Sequence, residues 1–286
     1  MWIWPCPRPA TCSRMAAGHV GFGLVRRRRS GGGMMARLGF IGTGDITRAM
    51  VRGLAGQGHE ILISPRNAAI AATLAAEVAG VTIATNADVV AGSDVVFLCL
   101  LARVAEEVLP GLPFRTDHRV ISVMVDAPLA KLRRLCAPAT DIALTIPLPP
   151  IAKGGCPLPV YPASATLEAL FGARNPVITL ETETALAAHL GVSAICSPML
   201  DQLLTAAGWL AGHTGDPAAA EAYVAAMIRA YLPERAAPGE LAGALRNLST
   251  EGGLNATLRA KMAGSKVDMV QGLDGFSTRL GLKGKA

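Results

Sequence analysis

Between residues 37 and 146 short apolar runs alternate with helical stretches, and this alternation restricts the architecture more than any other feature of the chain. Strands are predicted at residues 37–41, 60–64, 81–84, 94–100, 119–123 and 141–146, with helices at 46–57, 68–78, 87–91, 104–108 and 129–136 between them. Runs such as DVVFLCL show no polar alternation, so both faces of those strands must be covered, as in a parallel sheet between two helix layers. The expected fold class is α/β: an N-terminal Rossmann-type doubly wound parallel sheet followed by an all-helical C-terminal domain. The alternation stops at PLPPIAKGGCPLPVYP, residues 147–162, whose prolines cannot continue a helix or a central strand. The domains are accordingly expected at 36–150 and 151–286, after a leader at 1–35. Beyond PVITL the pattern is helical, at 183–190, 199–211, 217–232, 239–248, 253–262 and 267–280, with Asp216 as N-cap before a first-turn Pro217.

A length of 286 residues accommodates two domains, each with its own core. The net charge of +6 does not point to nucleic acid once it is located. Arg8, Arg14 and Arg26 to Arg29 lie in a leader without acidic residues, and removing these six from 27 basic residues leaves 21 against 21 acidic ones. The leader has neither helical nor strand periodicity and its basic residues follow its apolar ones, unlike a secretory signal. It is expected to be a disordered tail or a start called too early, with Met34 or Met35 the true start; a targeting role is the other reading. Dense apolar runs such as Val95 to Ala102 fall short of the roughly 20 residues of a membrane span. Six cysteines without C-x-x-C spacing, and histidines without paired spacing, indicate neither a disulfide framework nor a metal site. A reducing cytoplasm and a membrane-free protein are expected.

The stretch RLGFIGTGDITRAM, from Arg37, carries the first chemical signal. Gly42 allows a tight turn after a strand, and Gly44 lets phosphates approach bare backbone at the start of a helix. Thr43, Asp45 and Ile46 complete the turn, and Thr47 stands where a third glycine would favour close packing of helix on strand. Its bulk must push the helix outward, or its hydroxyl must bond locally. A glycine turn that binds nothing is the alternative, but the strand before it and the helix after it favour a dinucleotide. The second strand ends in ISPRN, where an acidic residue would accept the ribose hydroxyls of NAD. Ser64, Arg66 and Asn67 instead suit a 2′-phosphate, so NADP, with NADPH preferred over NADH, is the expected cofactor.

The second signal is STEGGLNATLRAKMAG, from Ser249. Gly252 and Gly253 at the start of an amphipathic helix offer backbone amides to a carboxylate or phosphate, and Thr250 or Asn255 could add a side-chain donor. Thr250 as a plain N-cap and the glycines as a plain loop form the other reading.

Taken in order, GFIGTGDITRAM, the SPRN segment, the proline-rich junction, the helical second half and TEGGLN resemble pyrroline-5-carboxylate reductases from residue 37 to about residue 281. The resemblance implies a Rossmann domain followed by a dimerising helical domain, and reduction of a cyclic imine to proline with NAD(P)H. It places Gly42 to Ile46 at the pyrophosphate, Ser64, Arg66 and Asn67 at the adenosine phosphate, and Leu100 at the cofactor. It also places Thr250 to Asn255 on the family's S-P-G-G-T-T segment, which binds the substrate carboxylate and sets a threonine hydroxyl near the imine nitrogen.

The chain departs from the family at several points. Leu100-Leu101-Ala102 replaces Val-Lys-Pro, Ile146-Pro147-Leu148 replaces Met-Pro-Asn, the segment from Ile195 to Pro198 replaces Gly-Ser-Gly-Pro, and Asn255 replaces the second threonine of the substrate loop. Glu251 sets a negative charge beside the proposed carboxylate seat. The cofactor half is thus better preserved than the substrate half, and a small-molecule C=N substrate related to pyrroline-5-carboxylate is expected.

A protonated imine is already electrophilic, so orienting residues suffice and Asn255 or Thr250 would serve as hydrogen-bond donor. His213 and Asp201 are alternative polar candidates. Two rival functions stay open. One is a 3-hydroxyacid dehydrogenase-like oxidoreductase, suggested by Asp126-Ala127-Pro128; the other is a non-catalytic NADP-binding protein. The alanine-rich, charge-poor helical half is expected to form a homodimer.

Overall fold

A computed structural model describes residues 35–124, 126–232 and 238–282. The readings of residues 1–34 lie outside the described residues. The described residues from Ala36 onward form one compact unit built on an eight-stranded sheet.

Strands β1 (Arg37–Ile41), β2 (Glu60–Ile63), β3 (Val81–Ile83), β4 (Val95–Leu98), β5 (Arg119–Ser122) and β6 (Asp141–Thr145) fall where the apolar runs predict them and pair in parallel. Helices α1 (Asp45–Leu54), α2 (Ala68–Glu77), α3 (Asn86–Ala91), α4 (Ala102–Val108) and α5 (Leu129–Leu135) connect them. Each central strand buries side chains on both faces, so two cores form. On one face Phe40 of β1 stacks on Phe97 of β4 with ring centroids 4.5 Å apart, and Phe171 meets Phe97 edge-on. On the other, Val96, Leu98, Val120 and Ile142 pack beneath α3, α4 and α5.

The sheet does not end at the expected junction near residue 150. A 3-10 turn at Pro149–Ala152 reverses the chain, β7 (Leu158–Tyr161) pairs antiparallel with β6, and β8 (Val177–Thr179) pairs parallel with β7 after α6 (Ala165–Phe171). Pro159 is tolerated because the β6–β7 ladder stops at Thr145 and Val160; the proline carbonyl takes its hydrogen bond from the Thr145 hydroxyl at 2.8 Å. Gly53 lets the turn lie close on α1, since a β-carbon there would stand 2.9 Å from the Ile151 carbonyl.

From Glu183 the chain is helical as expected: α7 (Glu183–Ser193), α8 (Cys196–Thr214), α9 (Pro217–Tyr231), α10 (Glu240–Asn247), α11 (Leu254–Lys261) and α12 (Ala263–Asp274). Asp216 caps α9 through the Ala219 amide at 3.0 Å, with Pro217 in the first turn. Helices α8 and α9 pack along each other, burying Ala207, Ala220 and Val224. By contrast, α10, α11 and α12 bury no residue. By length and composition, the run Glu183–Thr214 is apolar enough to cross a membrane. It is long because α7 and α8 follow each other almost without a break, which the apolar runs considered one at a time conceal.

Candidate functional site

The strand order β3-β2-β1-β4-β5-β6-β7-β8 changes direction between β1 and β4. Connections from these two strands leave towards opposite edges, so their C-terminal loops separate and open a crevice. A cleft of about 430 Å³ occupies this place. Its walls are Gly42 to Thr47 after β1, Arg66 and Asn67 after β2, Cys99 to Leu101 after β4, and Val123 after β5.

The turn after β1 is shaped by two glycines with different duties. Gly42 has φ +96°, and a β-carbon there would overlap the Cys99 carbonyl. Gly44 has an ordinary extended backbone, with nothing within 4 Å of an added β-carbon. It is the N-cap of α1 and offers no side-chain cap, so the amides of the first helical turn are left to solvent or to an anionic ligand. Thr47, fully buried, neither blocks the turn nor caps it; its hydroxyl donates to the Gly42 carbonyl at 2.5 Å. The local bond anticipated for Thr47 is therefore the one formed.

Charge at the cleft is unevenly matched. The Asp45 carboxylate is held by Arg48 at 2.6 Å, whereas Arg66 forms no ion pair with any described residue. Asn67, at φ +60°, caps α2 by accepting from the Ile70 amide at 3.4 Å. Burial pushes the Cys99 thiol up to about 12 against the opposing effect of a hydrogen bond with Thr47, so at neutral pH it is a neutral group on the cleft wall.

The cleft thus gathers Gly42, Thr43, Gly44, Asp45, Ile46, Arg66, Asn67 and Leu100 from the residues expected at a cofactor. Ser64 is the exception. It is 1% exposed, is absent from the cleft wall, and lies behind the turn with its hydroxyl accepting from the Gly42 amide at 2.8 Å. Thr47, Cys99, Leu101 and Val123 were not expected in the wall. The C-terminal ends of β4 and β5 beside the switch in strand order were the signal for Cys99 and Val123.

The second stretch has the expected backbone. Gly252 has φ +71° and Gly253 is the N-cap of α11, although the Gly253 amide is already taken by the Thr250 carbonyl at 3.0 Å. Thr250, Gly252 and Asn255 are exposed, and none of the four lines the cleft within one chain. Asp126 is an exposed turn residue and Asp201 an exposed helical one. His213 packs on Trp209 with ring centroids 4.5 Å apart. None of these three lines the cleft either. Among the described residues no group of three His, Cys, Asp or Glu side chains could hold a metal ion.

Sheet order, glycine turn and helix N-terminus together define a dinucleotide-type α/β architecture with an appended helical region. Residues 37–126 match the family described as NADP oxidoreductase, coenzyme F420-dependent. No curated protein matches the chain. Among solved structures, a Plasmodium falciparum pyrroline carboxylate reductase with NADP bound superposes with a TM-score of 0.70 at 13% identity, covering 86% of this chain and 97% of that one. A Streptococcus pyogenes 1-pyrroline-5-carboxylate reductase gives 0.69 at 18% identity, covering 86% and 98%. An Aspergillus terreus reductive aminase in complex with NADPH4, cyclohexanone and allyl amine gives 0.58 at 17% identity, covering 87% and 89%. Over most of its length the chain has the fold of pyrroline-5-carboxylate reductases.

Proposed function

We propose that the protein is an NADPH-dependent reductase of carbon–nitrogen double bonds, acting on a cyclic imine such as 1-pyrroline-5-carboxylate or a related small molecule. The observation that carries this reading is the cleft at the strand switch, where uncapped amides at the start of α1 converge with Arg66, which forms no ion pair with any described residue. Bare amides suit a diphosphate, and a guanidinium three residues beyond β2 suits a 2′-phosphate. The open space at Gly44 leaves room for that approach. Solved structures with this fold include complexes with NADP and with NADPH, which supports the assignment.

Once bound, the cofactor would supply the hydride that reduces the imine carbon. The protein's part is to orient and to exclude water. Leu100, Leu101 and Val123 give the cleft an apolar wall for that purpose. Thr250 and Asn255 serve as hydrogen-bond donors to the substrate, and Gly252 and Gly253 open α11 to an anionic group.

The substrate residues lie off the cleft within one chain, so a second copy is required to complete the site. Large apolar side chains left open on the helical half support this: Trp209 is 70% exposed and Leu254 91%. The apolar run Glu183–Thr214 then belongs to a subunit interface within an aqueous, cytoplasmic protein.

NADPH oxidation followed with 1-pyrroline-5-carboxylate and with 1-pyrroline, and NADP reduction followed with a 3-hydroxy acid, test the reading. Turnover with either imine is expected. Turnover with the hydroxy acid alone would support the dehydrogenase, and nucleotide binding without any turnover would support a non-catalytic role.

A further inference from the structure

We infer that Ser64 is a positioning residue that ties the phosphate turn to the Arg66 loop, and that it does not contact the 2′-phosphate. The inference rests on the nucleotide reading above and assigns a role within that site. Ser64 directly follows β2, and its amide donates to the Phe40 carbonyl at 3.0 Å. The hydroxyl accepts from the Gly42 amide at 2.8 Å, and the Ser64 carbonyl accepts from the Thr43 hydroxyl at 2.6 Å. Thr43 is itself 3.3 Å from the Ser64 hydroxyl, and Thr47 holds the Gly42 carbonyl. Gly42 is therefore gripped at both its amide and its carbonyl, which fixes the positive φ from which the turn departs. Ser64, Thr43 and Thr47 are all buried. Their bonds lock one geometry of the turn in a setting where a lost partner is not replaced by water.

The chain leaves this clamp directly into Pro65 and Arg66. Ser64 thus sets the spacing between two parts of one nucleotide: the diphosphate at the turn, and the adenosine end at Arg66. The diphosphate is common to NADPH and NADH. Loss of the Ser64 hydroxyl must weaken both alike, whereas a residue touching the 2′-phosphate would affect NADPH alone.

Calorimetric titration of wild type, Ser64→Ala, Thr43→Val, Thr43→Ser and Thr145→Val with NADPH and NADH decides the matter. Thr145→Val removes another buried hydroxyl, one that bonds the Pro159 carbonyl within β7, and serves as the purely structural control. Ser64→Ala and Thr43→Val are expected to weaken both nucleotides by about tenfold with their ratio kept, a factor equal to about 1.4 kcal/mol. Thr43→Ser, which keeps the hydroxyl, is expected to restore wild-type affinity, and Thr145→Val to lower the melting temperature with affinity unchanged. If Ser64→Ala does not fold, the Thr43→Val and Thr43→Ser pair carries the same comparison. Weakening of NADPH alone, or an equal loss in Thr145→Val, would overturn the inference while leaving nucleotide binding in place. A wild type that binds neither nucleotide would remove the nucleotide reading itself, and the inference with it.

Discussion

The backbone of Gly42 lies so close to the Cys99 carbonyl that a β-carbon on Gly42 would overlap it. The turn after β1 and the end of β4 are therefore in backbone contact at the point where the cleft begins. Gly42→Ala has to relieve both that overlap and a φ of +96°. Positive φ costs about 1–3 kcal/mol and overpacking about 1–3 kcal/mol more, so a clear fall in melting temperature is expected by calorimetry. An unchanged melting temperature would contradict the close approach.

Gly44→Ala separates binding from folding. The backbone there is extended and the space around a β-carbon is open, so the small N-cap penalty is offset by a less flexible unfolded chain. Stability should stay within about 0.5 kcal/mol of wild type. The new methyl would stand where phosphates approach the amides of α1, and NADPH affinity measured by titration should fall at least about tenfold, or about 1.4 kcal/mol.

Two desolvated thiols, Cys136 in the core and the half-buried Cys99 on the cleft wall, set an alkaline limit. Burial pushes Cys99 and Cys136 each up to about 12, from an ordinary value of 9.0. A folded-state value raised above the unfolded one means that the unfolded chain loses its proton first. The stabilising contribution is whole below pH 9.0 and is lost as pH rises towards 12. The loss amounts to about 1.4 kcal/mol per pH unit for each thiol. Denaturant titrations of Cys136→Ala should show a shallower decline above pH 9.0 than wild type, whatever its absolute stability.

His118 sets an acid limit. It is fully buried, and its Nδ1 accepts from the Arg115 amide at 3.0 Å. Burial, then the nearby Arg115 charge, hold its pKa below the ordinary value of 6.5. Because the depressed value belongs to the folded state, stability is full above pH 6.5 and falls as pH drops through the folded value. His118→Asn keeps an acceptor for Arg115 and should flatten that decline in an acid stability profile.

Most of the scaffold was legible because β1 to β6 are largely apolar runs and α2 and α3 open on side-chain caps at Asn67 and Thr85. Strand β7 was not, since the proline rule excludes LPVY from a central strand and only the stop in the β6 ladder makes room for Pro159. The cleft was legible wherever glycine or charge marks the backbone, as at Gly42, Gly44 and Arg66. The inward turn of Ser64 was not legible because whether a hydroxyl after a strand turns inward depends on which residue lies across from it. The Gly42 amide that receives it is 22 positions away. The segment from Thr250 to Asn255 could be read as a turn, but no pattern within one chain tells which surface faces it.

The helical half makes its own prediction. Leu241, Leu245, Leu254 and Leu258 are each more than half exposed along helices that bury nothing. A homodimer should sediment at micromolar concentration, and Leu254→Glu with Leu258→Glu should shift it towards monomer and abolish imine turnover. A compact, active monomer would contradict the shared site.

The central claim is that uncapped amides beside Gly44 and the guanidinium of Arg66 hold NADPH. Thermal unfolding of wild type and Arg66→Ala with NADPH and with NADH tests it most directly. At about a hundredfold over Kd the nucleotide should add about 2.7 kcal/mol to stability. Wild type should respond to NADPH at lower concentration than to NADH, and Arg66→Ala should respond to the two alike. Unfolding that is unmoved by either nucleotide, or an NADPH preference that survives the loss of Arg66, would contradict it.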